Sequence, residues 1–137
     1  MKLKSVITCL LASAALAGCA MSETAEGGKK KLAEKGYTVT IMAEAEYKTT
    51  NLNQKIAWDS SMQNYMLAEN GKEHGYLFAW YFVSIDSANS WNEGNRLKLL
   101  DIQVDDKDAE LTTGIHNNCV WLGTHNAAKT AGYTMID

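Results

Sequence analysis

Residues 76–83, Tyr76-Leu77-Phe78-Ala79-Trp80-Tyr81-Phe82-Val83, carry apolar side chains at odd and even positions alike. Successive side chains of an extended strand point to opposite faces, so a run of this kind has to be covered on both sides. It predicts a central, fully covered strand, and the rest of the chain must supply its neighbours and its cover. At 137 residues the chain suits one domain. Residues 37–48 alternate instead. Tyr37, Val39, Ile41, Ala43, Ala45 and Tyr47 share one face; Thr38, Thr40, Met42, Glu44, Glu46 and Lys48 share the other. Period two over this length predicts a half-buried strand with one wet face.

Between these two segments the period changes. Leu52, Ile56, Met62, Tyr65, Met66 and Glu69 fall near helical spacing, among helix formers such as Ala57, Gln63, Leu67 and Ala68. Asn51 with Gln54 makes a weak capping box, and Asn70-Gly71 offers a stop, so a main helix is expected over residues 52–69. A competing reading makes Asn70-Gly71 the turn of a hairpin joining residues 65–69 to residues 72–76. Residues 86–95 read as a polar loop around Trp91, and residues 96–104 as a further strand. Residues 105–108 read as a turn, and residues 110–122 as two short strands broken at Asn117-Asn118. Thr124 stands where it can cap a last helical stretch over residues 126–131, ended by Gly132. Lys29-Lys30-Lys31 opens a short helix through Glu34 and Lys35, stopped by Gly36. The lysines read as a solvated charge run or as a contact for anionic headgroups. Proline is absent, so turns rely on Gly, Asn, Asp and Ser. The expected class is α+β, an antiparallel sheet with one main helix packed on it. That order resembles cystatin-like folds; should the helix fail, a small all-β sandwich takes its place.

The amino terminus has a different character. Met1-Lys2-Leu3-Lys4 is a small basic head, and residues 6–17 follow without a charge, ending in Leu16-Ala17-Gly18-Cys19. A basic head, a short apolar run and small residues at its end make a secretory leader, too short to span a bilayer, which takes about 20 apolar residues. Leu16-Ala17-Gly18-Cys19 resembles the lipobox of bacterial lipoproteins. The resemblance implies removal of residues 1–18 and acylation, including palmitate, of Cys19. It also implies a partner in the lipid bilayer itself. Ala20 in place of aspartate after the cysteine implies sorting to the outer membrane, periplasmic side. Residues 19–31 then read as the lipidated cysteine with a flexible tether, and residues 32–137 as a single globular periplasmic domain.

The net charge is −3. It becomes more negative when Lys2 and Lys4 leave with the leader, which is poor chemistry for a nucleic-acid partner. Cys9 leaves as well and Cys19 takes lipid, so Cys119 has no partner for a disulfide within the mature chain. Its apolar neighbours Val120, Trp121 and Leu122 suit an inert buried thiol.

Candidate chemistry is sparse. His116, Cys119 and His125 are the one set with metal-ligand character, with Met135 or Asp137 as a fourth donor. In outline the set resembles blue-copper sites, although its Cys119-to-His125 gap is longer than the ligand loop of that family. Cys119 with a nearby histidine would alternatively make a nucleophile pair. Glu44 and Glu46 share a strand face about 6–7 Å apart. No Gly-x-Ser-x-Gly elbow or phosphate loop occurs, and no cofactor is implied. Trp91, flanked by Ser and Asn, is a candidate contact for a sugar ring or a protein. The expected function is therefore a non-enzymatic, membrane-anchored binding domain for an envelope protein, a toxin or hydrolase, or cell-wall glycan. The alternative is a metal-binding or redox domain built on His116, Cys119 and His125.

Overall fold

The computed structural model describes residues 23–133. The leader, the Leu16-Ala17-Gly18-Cys19 motif, Met135 and Asp137 lie outside them. Among the described residues no helix is long and apolar enough to cross a membrane.

The chain runs α1 (Ala25–Glu34), β1 (Thr38–Met42), α2 (Glu44–Tyr47), α3 (Leu52–Lys55), β2 (Met62–Asn70) and, after a 3-10 turn at Gly71–Glu73, β3 (Gly75–Phe82). Then come α4 (Ile85–Leu99), β4 (Thr112–His116), β5 (Cys119–Gly123) and α5 (His125–Ala131). The five strands form one antiparallel sheet in the order β1-β2-β3-β5-β4. The class is α+β, with a main helix packed on an antiparallel sheet.

β3 is the central strand that its two-sided apolar pattern requires. Leu77, Ala79 and Tyr81 enter one core, with α1 and α5 over it; Trp80 and Phe82 enter the other, under α4, with Phe78 packed against it. Helices cover both faces because β3 leaves no face that tolerates water.

The main helix is not where helical spacing placed it. Residues 62–70 form β2, paired with β3 from Met62↔Phe82 to Asn70↔Gly75, and only Leu52–Lys55 of the expected helix is helical. A hairpin stands here, as the competing reading has it, but its turn is the 3-10 stretch Gly71–Glu73 with His74 rather than Asn70-Gly71, and its second strand starts at Gly75 rather than at residue 72. Helix propensities differ by less than about 0.7 kcal/mol per ordinary residue. Burying Tyr65 or Met66 contributes about 1.5–3 kcal/mol each, and β2 buries one on each side of the sheet. The cystatin-like order, which needed a long helix between the first two strands, goes with it, and the all-β alternative is excluded.

The main helix is α4, covering residues read as a polar loop and the start of a strand. Ser84 caps it, its Oγ accepting the Ser87 backbone N–H at 3.0 Å. Asp86 sits in its first turn and Arg96 and Lys98 in its last, each matching the helix dipole. Ala88, Trp91 and Leu99 turn one stripe to the sheet at helical spacing, while Leu97 is 79% exposed on the outer side.

Other expectations need adjustment or hold. The first strand stops at Met42, and Glu44 and Glu46 lie in α2, so they do not share a strand face. The short amino-terminal helix is real but starts at Ala25 and packs Ala25, Gly28 and Leu32 onto the sheet. Residues 25–31 are therefore part of the domain, not of a tether. The two strands around Asn117-Asn118 and the last helix ended by Gly132 stand as read; Gly132 takes φ 86, a conformation that favours glycine.

Candidate functional site

The two ends of the sheet carry different chemistry. At one end lie the start of β2, the end of β3, the Asn117-Asn118 turn and the amino terminus of α4. Asn118 is fully buried there and holds the entering chain. Its Oδ1 accepts from the Glu23 backbone N–H at 2.7 Å, and its Nδ2 donates to the Glu23 and Phe82 carbonyls at 3.0 and 2.7 Å. His116 Nε2 lies 3.0 Å from the Glu23 carboxylate, and its ring stacks on Tyr133. Beside this latch runs a surface groove lined by Asp59, Ser61, Asp86, Ser87, Trp91 and Asn95, among others. Trp91 is half-buried: its ring packs 6.3 Å from Trp80 and 5.5 Å from Phe82, and it still reaches the groove. It stands on a helix rather than a loop, which fixes its position against the sheet.

The other end is charged. His74 follows the 3-10 turn in a left-handed conformation, φ 52. Its Nδ1 lies 3.2 and 3.0 Å from the two carboxylate oxygens of Asp106. Tyr76 donates its hydroxyl to Asp106 Oδ2 at 2.7 Å, and the Asp108 backbone N–H donates to Oδ1 at 3.0 Å. The imidazole and phenol hold the Asp106 carboxyl below the usual carboxylate range, and Asp106 in turn raises His74 and Tyr76. A second groove borders the cluster, with Glu73, Lys107, Asp108, Glu110 and His125 on its walls. Asn126 ties the turn to α5 by donating to the Glu73 carbonyl at 2.9 Å.

This geometry separates His116, Cys119 and His125. His116 and Cys119 are opposed in the β4–β5 register, beside Tyr81 of β3. His125 starts α5 beyond Gly123, beside Leu77. At about 3.3 Å per residue the length of β5 keeps it more than about 10 Å from the other two. The three do not form one metal centre. Cys119 is fully buried, and burial pushes its thiol up to about 12, so it is no thiolate nucleophile at neutral pH. What the sequence reading passed over is the cluster of His74, Tyr76, Asp106 and Asp108. Residues 105–108 read as a turn only, and nothing in the linear spacing links them to residues 74–76. The link appears once the β2–β3 turn is known to end beside them.

Comparison with protein-family models, with curated proteins and with solved structures finds no match for the chain.

Proposed function

We propose that this chain is an envelope lipoprotein, acylated at Cys19 and held on the periplasmic side of the outer membrane. There it presents a non-enzymatic binding domain whose ligand enters the Trp91 groove. Of the partners considered (an envelope protein, a toxin or hydrolase, a cell-wall glycan), the glycan suits the groove best. An indole held rigidly by α4 offers an apolar platform, and Asp59, Asp86, Ser87 and Asn95 around it offer the hydroxyl-binding groups a sugar requires. That juxtaposition carries the reading. The Glu23–Asn118 latch adds to it. Four residues of chain span at most about 14 Å, so acylated Cys19 would keep the latch, and the groove beside it, close to the membrane surface. A single acyl chain binds marginally and two or more hold firmly.

The metal or redox alternative at His116, Cys119 and His125 has no shared site to stand on. The test uses the full chain expressed in a diderm bacterium. Cys19→Ser should abolish palmitate incorporation and move the protein out of the outer-membrane fraction. Trp91→Ala should weaken retention on insoluble peptidoglycan at least about tenfold, or 1.4 kcal/mol, with an unchanged far-ultraviolet spectrum. Equal retention of wild type and Trp91→Ala removes the groove from the function.

A further inference from the structure

The charged end of the sheet has a purpose of its own to offer, independent of the lipid anchor and of the Trp91 groove. We propose that His74, Asp106 and Asp108 form a binding site for a zinc-class divalent cation at the end of the domain opposite the Glu23 latch. Among the described residues this is the one group of three whose ligand atoms all lie within 4.8 Å of one another. The donors come from two segments, the turn after β2 and the loop before β4, which meet only in the folded chain. His74 Nδ1 and the two Asp106 oxygens are 3.0 and 3.2 Å apart. Two ligands on one tetrahedral ion with bonds of about 2.0–2.2 Å are separated by about 3.3–3.6 Å. A shift of a few tenths of an ångström therefore turns this imidazole–carboxylate pair into two corners of a coordination shell.

Two features mark the cluster as built. Asp106 is the least exposed of the pair, its side chain 13% exposed against 49% for His74. The Tyr76 hydroxyl and the Asp108 backbone N–H hold its carboxylate from behind. Ligating carboxylates are commonly steadied by outer hydrogen bonds of this kind. Asp108 and His74 meanwhile face the open groove, which leaves room for water or for His125 at the fourth position. One imidazole with two carboxylates selects a borderline ion such as zinc over calcium, which takes oxygen ligands in greater number. Binding displaces the His74–Asp106 hydrogen bond, and the imidazole nitrogen that faces the ion must be unprotonated.

Titration of the purified full chain in detergent with zinc chloride tests the site, followed by calorimetry and, with cobalt(II) substituted, by visible absorption. One ion per chain is expected, with at least about tenfold weaker binding for His74→Ala and for Asp108→Asn and little change for His116→Ala at the far end. Melting curves without metal should leave both exposed-site variants folded. Absence of stoichiometric zinc binding overturns the proposal. So does equal affinity in His74→Ala and wild type, or calcium binding as tight as zinc.

Discussion

The two faces of the sheet are closed by different means. Over one face, α4 and the short helices enclose large rings: Tyr47, Tyr65, Trp80 and Phe82 are all at most 2% exposed, with Trp58 and Trp91 at the margin. Over the other, α1 and α5 approach closely on small residues, Gly28, Ala127, Ala128 and Ala131. The rings they cover are Trp121, Tyr37, Tyr81 and Tyr133, and the last two bring hydroxyl groups to the Cys119 thiol. A side chain at Gly28 would meet Met66 and the Tyr81 hydroxyl at 3.3 Å. The ring-filled face presents Trp91 at its edge; the close-packed face carries the segment that leads to the proposed anchor. The contrast teaches that a rigid aromatic platform needs a rigid aromatic bed, whereas a docked terminal helix needs close backbone contact.

The largest break in that comparison should come from Trp80→Ala. Trp80 touches Tyr65 and Trp91, and its indole N–H donates to the Tyr47 hydroxyl at 3.1 Å. Removing a buried indole leaves a cavity and takes one donor from the Tyr47 hydroxyl, which keeps its own bond to the Ile56 carbonyl, a loss of about 3–5 kcal/mol by chemical denaturation. Trp91 then loses its bed, so retention on peptidoglycan should fall as well under conditions where the variant stays folded. A loss below about 1 kcal/mol would mean that the rings on this face pack independently.

Asn118→Ala should come next, and it acts on the opposite side. It strands the Glu23 backbone N–H and removes the donor to two carbonyls, for about 1–3 kcal/mol. Because Glu23 precedes Thr24, the N-cap of α1, amide exchange should quicken in α1 more than in α4. Uniform quickening in both helices would show that the amino-terminal latch serves the whole sheet and not one face.

These elements also show what was legible in the chain. β3 declared itself because a strand covered on both faces has no polar positions. β4, β5 and α5 did so through Asn117-Asn118 and Gly132, whose chemistry is local. β2 did not, because Met66, Leu67 and Ala68 are good helix formers and the reason for a strand lies in β1 and β3 on either side. α4 was hidden by its own Ser and Asn residues, which favour turns in isolation; its signal was the Ser84 cap with Ala88, Trp91 and Leu99 at helical spacing. Of the site residues, Trp91 was singled out for its polar neighbours, yet its platform, Trp80 and Phe82, is a tertiary fact. His74 and Asp106 are 32 positions apart and meet only through the fold.

The smallest effect is the most specific to the close-packed face. Burial raises the Cys119 thiol from 9.0 to about 12 and pushes Tyr81 and Tyr133, whose hydroxyls lie 2.5 Å apart, above the usual phenol range. On the other face Tyr47 rises from 10.0 to about 12. Each of these groups is an acid whose neutral form the fold favours. Its contribution is complete below the unfolded pKa and is lost as pH climbs towards the folded value. The stability these groups carry should thus be flat to about pH 8 and fall above it. Between pH 8 and 9 the thiol titrates in the unfolded chain ahead of the phenols. Cys119→Ala should therefore remove most of the slope these groups give in that window, at most about 1.4 kcal/mol per pH unit for one group, and leave the steeper tyrosine-driven loss above about pH 9.5 in place. Urea melts at half-unit pH intervals measure both slopes. An unchanged slope between pH 8 and 9 would put the thiol in contact with water, and the face closed by α1 and α5 would then be open where the aromatic face is sealed.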